Sequence, residues 1–134
     1  MLKIEHIGIA VKNLESANKL FTSLFNNAPY KLEKVEREGV STSFFKMGES
    51  KIELLEATNT DSAIAKFIDK KGEGIHHIAF EVENIEDEMK RLSAEGYKLL
   101  ADKPQNGADN KLICFLHPKD TNGVLIELCQ EIKE

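Results

Sequence analysis

Two histidines stand at equivalent positions in two similar segments of the sequence. The segments read HIGIAVKNLE from His6 and HIAFEVENIE from His77, 71 residues apart. Each half of the chain also ends with a similar glutamate segment, KIELLEA around Glu53 and VLIELCQ around Glu127, 74 residues apart. Imidazole nitrogens and carboxylate oxygens bind divalent ions, and paired carboxylates can exchange protons with a substrate. The repeat indicates two His–Glu pairs that share one metal ion.

Alternation along the strands predicts which side chains share a face with the histidines. His6 lies on the side of the small residues Gly8 and Ala10, and the bulky aliphatic residues lie on the other side. His77 has the parity of His6, whereas His76 has the opposite parity and is predicted to be structural. A lone histidine or glutamate in a strand is more often structural or solvent-exposed. The matched repetition is what favours a metal site.

The elements that must position these residues follow from the hydrophobic periodicity. Asn13 caps a helix that runs to about Phe25, Asp61 caps a short connecting helix, and Asn84 caps a helix that stops at Gly96. Residues 102–110 are polar and predict a loop. The predicted strands are 2–11, 30–36, 40–47, 51–57, 75–83, 97–101, 111–117 and 123–130.

This order of elements repeats once, with the short helix as the connection between halves. The sequence therefore predicts an α+β protein made of two tandem βαβββ modules, pseudo-repeats of about 1–60 and 74–134. We expect them to form one domain, 1–134, with a cupped mixed sheet around the metal site.

Length, charge and cysteine content narrow the class of protein. The 134 residues carry a net charge of −5 with both signs interspersed, which disfavours nucleic acid as a partner. There is no apolar run long enough to span a bilayer and no signal-peptide core near the start, so we expect a cytoplasmic protein. Cys114 and Cys129 lie in apolar strands, and buried free thiols are the favoured interpretation.

Four segments carry a family resemblance that covers nearly the whole chain. They are HIGIAVKNLE, GVSTSFFKMGESKIELLE, DSAIAKFIDKKGEGIHHIAFEV and FLHPKDTNGVLIEL. The sequence resembles the vicinal oxygen chelate superfamily and, within it, the methylmalonyl-CoA epimerases. The His/Glu skeleton is shared with glyoxalase I, whereas GEGIHHIAFEV together with HPKDTNGVLIEL is more specific to the epimerases.

The resemblance implies a homodimeric, metal-dependent enzyme that interconverts (R)- and (S)-methylmalonyl-CoA through an enolate. It implies that His6, Glu53, His77 and Glu127 are the metal ligands, although some epimerases carry glutamine at the position of Glu53. Co²⁺ is the first choice of ion, and Ni²⁺, Mn²⁺, Zn²⁺ and Mg²⁺ are alternatives.

The resemblance also implies roles in catalysis and substrate binding. Glu127 and Glu53 would be the acid/base pair that removes the α-proton and returns one on the opposite face. Some epimerases carry an acidic residue where this chain has Thr42, which we expect to hydrogen-bond substrate or water. Lys111, His117 and Lys119 lie where the family faces acyl-CoA. The alternatives are solvated lysines and a simple turn at HPKD.

Two other functions are compatible with the same skeleton. One is a glyoxalase-I-type lyase that isomerises a hemithioacetal of glutathione or another thiol. The other is a non-catalytic protein that binds small molecules, a class that often lacks one or more of the ligands. All four ligand positions hold competent residues here, which favours an enzyme.

Overall fold

The computed structural model describes residues 1–133, in which eight strands and three helices alternate as the sequence predicts. The α+β class and the two βαβββ modules are confirmed, and α2 connects them. The elements are β1 (Lys3–Ala10), α1 (Leu14–Phe25), β2 (Lys31–Val35), β3 (Val40–Met47), β4 (Ser50–Ala57), α2 (Ala63–Lys71), β5 (Gly74–Glu81), α3 (Ile85–Ala94), β6 (Gln105–Gly107), β7 (Lys111–Leu116) and β8 (Ile126–Glu131).

The chain divides into two compact units. The first unit is His6–His76, and the second unit combines Met1–Glu5 with the residues from His77 onward. This division follows the predicted pseudo-repeats, except that the first five residues belong to the second unit. The single-domain organisation stays a prediction.

The first unit places an apolar layer on each side of its strands. The strand order is β2-β3-β4-β1, with β1 parallel to β4 and the other pairs antiparallel. On one face Val11, Phe45 and Leu54 pack against α1. On the opposite face, which carries His6, Ala10 and Leu55 pack with Ile64 of α2. Helix α2 therefore covers one end of the histidine face.

The second unit repeats this plan with a single helix. The strand order is β5-β8-β7-β6, and β5 is parallel to β8. Val82, Cys114, Leu116 and Leu128 pack on one face against Ile85, Met89 and Leu92, which belong to the start and body of α3. The N–H of Leu2 donates to the carbonyl of Glu81 at 2.8 Å, so the start of the chain adjoins β5.

The two helices that follow the histidine strands begin in the same way. Asn13 Oδ1 accepts the N–H of Ser16 at 2.8 Å, and Asn84 Oδ1 accepts the N–H of Asp87 at 3.0 Å. A side-chain oxygen satisfies an N–H that has no partner within the helix, which explains the asparagine in both repeat segments.

Two predicted boundaries are wrong. The segment 97–101 forms only a single bridge, between Leu99 and Leu116, and the third strand of the second module lies instead at β6, inside the predicted loop. Leu99 packs on the core cluster beneath α3, so its burial does not depend on a ladder. Helix α2 is capped by Ser62 and not by Asp61, because Ser62 Oγ accepts the N–H of Ala65 at 3.1 Å.

Both cysteines are buried and free, as predicted. They lie on neighbouring antiparallel strands, where Cys114 is opposite Leu128 and Cys129 is opposite Ile113. The two side chains therefore point to opposite faces of the sheet, and this register prevents a disulfide between them.

The helices are short. The longest of the three, α1, has 12 residues. Among residues 1–133, no helix combines the length and the apolar character that crossing a membrane requires.

Candidate active site

The first His–Glu pair lies in the first unit. His6 on β1 and Glu53 on β4 are buried, and His6 Nε2 is 3.3 Å from Glu53 Oε1. The parallel register places Glu53 opposite Gly8 and not opposite His6 itself. Because Gly8 has no side chain, the carboxylate has room to reach the imidazole.

The second pair repeats this geometry in the second unit. His77 Nε2 is 3.0 Å from Glu127 Oε1, and both residues are buried. Glu127 lies opposite Ala79, again a small residue two positions after the histidine. The sequence repeat thus corresponds to a repeated pairing of imidazole and carboxylate.

Phe115 is a site residue that sequence reasoning missed. Its ring lies edge-on to the His77 imidazole, with the ring centroids 5.7 Å apart, and its position on β7 is opposite Glu127. The aromatic ring fixes the imidazole and makes the surroundings of the pair less polar. Only the pairing of β7 with β8 shows this role, and single-sequence alternation does not give that pairing.

His76 has the structural role that its parity predicts. Its ring is perpendicular to that of Phe67 on α2, with the centroids 5.0 Å apart. The adjacent histidines therefore differ in environment, because His76 contacts an apolar helix while His77 contacts a carboxylate.

The buried donor atoms suit a divalent ion. His6, His77 and Glu127 qualify as metal ligands, since each offers a nitrogen or a carboxylate oxygen that is shielded from solvent. Glu53 is not among these candidates, although its carboxylate is next to the His6 imidazole.

Thr42 lies on the same face of the first unit as Glu53. It is opposite Leu55 on β4, two residues from Glu53, which puts the two side chains at a diagonal of about 7 to 8 Å between Cβ atoms. Thr42 is buried, and its hydroxyl donates to the carbonyl of Glu33 at 3.0 Å. The hydroxyl oxygen keeps the capacity to accept a hydrogen bond.

Lys111 is buried at the start of β7. Only 6% of the residue is exposed, and Nζ donates to the carbonyl of Asp109 over a long 3.4 Å. It has the same parity as Phe115, so it belongs to the face that carries His77 and Glu127.

His117 and Lys119 form a tight turn between β7 and β8. The Nδ1 atom of His117 accepts the N–H of Lys119 at 3.1 Å, and Asp120 Oδ2 accepts the N–H of Lys98 at 2.7 Å. The Lys119 side chain is exposed. These contacts give the HPKD segment a structural function, and the substrate-binding roles of His117 and Lys119 stay predictions.

Cys129, two residues after Glu127, is not a nucleophile at neutral pH. Burial raises the pKa of its thiol, and the charges of Glu127 and Glu5 raise it further, whereas Lys111 opposes them. Burial also raises the pKa of the Cys114 thiol, and its hydrogen bond to the Ala101 carbonyl partly opposes that increase. The reactive groups of this face are therefore the imidazole and the carboxylate.

Comparison with known proteins identifies the family. Residues 5–115 match the model of the glyoxalase/bleomycin resistance protein/dioxygenase superfamily. The ethylmalonyl-CoA/methylmalonyl-CoA epimerase of Cereibacter sphaeroides is 38% identical over 130 residues, 96% of this chain and 97% of the relative. The chain belongs to the methylmalonyl-CoA epimerase family. The mitochondrial methylmalonyl-CoA epimerase of Homo sapiens is 37% identical over 129 residues, which cover 96% of this chain and 73% of that protein.

Solved structures of the epimerase family match along nearly the whole chain. A variant of the Streptomyces coelicolor methylmalonyl-CoA epimerase, in complex with 2-nitronate-propionyl-CoA, superposes with a TM-score of 0.96. It is 34% identical to this chain, and the match covers 99% of each. Membership of the epimerase family favours the epimerase interpretation over a glyoxalase-I-type lyase or a non-catalytic binding protein.

Proposed function

We propose that this protein is a methylmalonyl-CoA epimerase that interconverts the (R) and (S) epimers by removing and returning the α-proton. The observation that carries the proposal is the repeated, buried pairing of His6 with Glu53 and of His77 with Glu127. Epimerisation needs a base on one face of the α-carbon and an acid on the other, and two buried carboxylates provide the two groups.

The metal site that we propose has His6, Glu53, His77 and Glu127 as ligands. The donor set fits a divalent ion such as Co²⁺, our first choice, or Ni²⁺, Mn²⁺, Zn²⁺ or Mg²⁺. When bound, such an ion would act as a Lewis acid toward the thioester oxygen and so make the α-proton more acidic. Each carboxylate beside an imidazole favours the orientation in which Nε2 faces the site.

Glu127 and Glu53 have complementary tasks in this proposal. Glu127 takes the α-proton on one face, and Glu53 returns a proton on the other face, with the roles reversed for the other epimer. Both carboxylates lie among apolar residues, an environment in which an approaching C–H group meets little competing water. No acidic residue occupies position 42, so Glu53 is the acid/base of the first unit.

Four further residues would contact the thioester substrate. Thr42 lies near Glu53 and would accept a hydrogen bond from substrate or water. Lys119 is exposed, as a lysine that meets a solvated CoA phosphate would be. His117 would position Lys119 through the turn that they share, and Lys111 is buried on the Glu127 face.

The setting of the enzyme is also a proposal. Buried free thiols fit a reducing cytoplasm. Leu2 and Ile4 expose 61% and 44% of their surface, an apolar area that a second copy in a homodimer would cover. The net charge of −5 disfavours a nucleic-acid partner.

The test of the proposed function is NMR of methylmalonyl-CoA in D₂O with purified protein, first without metal and then with Co²⁺. We expect the α-proton signal to disappear only with metal, and we expect Glu127→Ala to prevent this loss while the fold is retained. Turnover of a hemithioacetal without exchange of methylmalonyl-CoA would contradict the proposal and indicate a glyoxalase. Binding without exchange or turnover would indicate a non-catalytic protein.

A further inference from the structure

Lys111 is a buried cation that the pairing of the strands leaves with little compensation. The residue is 6% exposed, and among residues 1–133 its one hydrogen bond is the 3.4 Å contact with the Asp109 carbonyl. No carboxylate oxygen of the described residues comes within 4.0 Å of Nζ. A buried ammonium has three donors and a large desolvation cost, so a single long bond is an incomplete environment.

The position of Lys111 relates this cation to the reactive groups of the second unit. The ladder between β7 and β8 pairs Phe115 with Glu127, Ile113 with Cys129 and Lys111 with Glu131. Lys111 is thus on the face of Glu127, about 14 Å further along the strand. The flexible four-carbon stem of a lysine can cover much of that distance.

The cross-strand neighbour does not neutralise Lys111. Glu131 is directly opposite, but its side chain is exposed and makes no ion pair with Lys111 in the part of the chain that the structure describes. An anionic ligand that enters this face would also meet the negative charge of Glu127. The ammonium is the positive group of the face that can offset this repulsion.

We propose that Lys111 binds the free carboxylate of the malonyl-type acyl group and so selects thioesters that carry such a carboxylate. The inference rests on the proposed function and defines a specificity-determining residue for it. Burial separates this role from phosphate binding, because a CoA phosphate stays partly solvated and suits an exposed lysine such as Lys119. A small carboxylate that loses its water on binding suits a buried donor.

A pair of ligands tests this inference directly. Propionyl-CoA is methylmalonyl-CoA with a hydrogen in place of the carboxylate, so the ratio of their dissociation constants measures recognition of that group. The ratio is measured by calorimetry on the Co²⁺-loaded protein for wild type, Lys111→Met, Lys111→Arg and the control Lys90→Met, which changes an exposed lysine of α3.

We expect Lys111→Met to reduce the preference for methylmalonyl-CoA about 10- to 100-fold while the affinity for propionyl-CoA is unchanged. Lys111→Arg should restore part of the preference, and Lys90→Met should leave it unaltered. The urea midpoint of Lys111→Met should be no lower than that of wild type, because an isolated buried charge has been replaced by an apolar group.

The inference is overturned if Lys111→Met keeps the wild-type ratio. It is equally overturned if both ligands weaken by the same factor, which would assign the lysine to a CoA phosphate. Exchange of the α-proton by the wild type in D₂O shows separately that the proposed function holds, so the two failures are distinguishable. A wild type that binds both thioesters equally overturns the inference whether or not it exchanges the proton.

Discussion

Glu56 and Gln130 have the same task in the two halves of the chain, 74 residues apart. Glu56 Oε1 accepts the N–H of Leu14, the first residue of α1, and Gln130 Oε1 accepts the N–H of Ile85, the first residue of α3, each at 2.8 Å. Each oxygen thus connects the strand that follows a candidate catalytic glutamate to the helix that follows a histidine strand. Because an amide oxygen serves as well as a carboxylate, the shared requirement is an acceptor and not a charge.

Removal of either acceptor should destabilise the protein by about 1 kcal/mol, since a helix N–H loses its partner. Glu56→Ala and Gln130→Ala should show this decrease in the free energy of unfolding in urea. Glu56→Gln is the matched control and should remain close to wild type. A Glu56→Gln variant as unstable as Glu56→Ala would mean that the negative charge matters more than the acceptor.

His77→Ala should abolish binding of Co²⁺, measured by the visible absorption of the ion, and His6→Ala should do the same. The adjacent His76→Ala should retain one equivalent, because the His76 ring packs on Phe67 and does not contact a carboxylate. His76→Ala may be compared at equal fold content by circular dichroism. Metal loss in His76→Ala alone would reverse the assignment of the two histidines.

Glu53→Gln should slow epimerisation about 10²- to 10⁴-fold, the usual contribution of an acid/base group. Exchange of the α-proton in D₂O should survive for the epimer whose proton faces Glu127 and be lost for the other epimer. The experiment needs the two epimers measured separately by NMR. Glu131→Gln, a change on β8 at an exposed position, is the control and should exchange both.

The raised pKa values of Cys114 and Cys129 make stability depend on pH in the alkaline range. A thiol whose pKa is higher in the folded than in the unfolded state holds its proton longer when folded. The unfolded chain therefore binds fewer protons above pH about 9, and the free energy of unfolding should fall by up to about 1.4 kcal/mol per pH unit for each thiol.

Urea unfolding between pH 8 and pH 10 measures this dependence. Cys129→Ala should show a shallower decrease than wild type, and iodoacetamide should label neither thiol in the native protein at pH 8. A slope that is the same in wild type and in Cys129→Ala would exclude this thiol as a source of the dependence.

Much of the fold and of the site follows from the sequence because local chemistry repeats. The caps Asn13 and Asn84, the small residues beside His6 and His77, and the alternating aliphatic residues are all short-range signals. Strand β6 shows where such signals end. Gln105–Gly107 has no apolar pattern, and it pairs with β7 through its backbone. Gly107 lies so close to Ile113 that a Cβ atom would come within 2.8 Å of that side chain.

Phe115 and Lys111 show the same limit within the site. Both are ordinary strand residues by sequence, and their relation to Glu127 depends on the register between β7 and β8. A shift of that register by one residue would turn both side chains to the opposite face. Sequence alternation gives the face within one strand, but not the neighbour across the ladder.

The grouping of Met1–Glu5 with the second unit has a consequence for the order of folding during synthesis. All residues of the first unit are available once His76 has left the ribosome, whereas the first five residues must wait for β5. During that interval Leu2 and Ile4 belong to an unpaired strand edge, the kind of surface that other nascent chains can join. Limited proteolysis of ribosome-bound chains that expose residues 1–76 should therefore remove the first few residues while the segment after His6 resists cleavage.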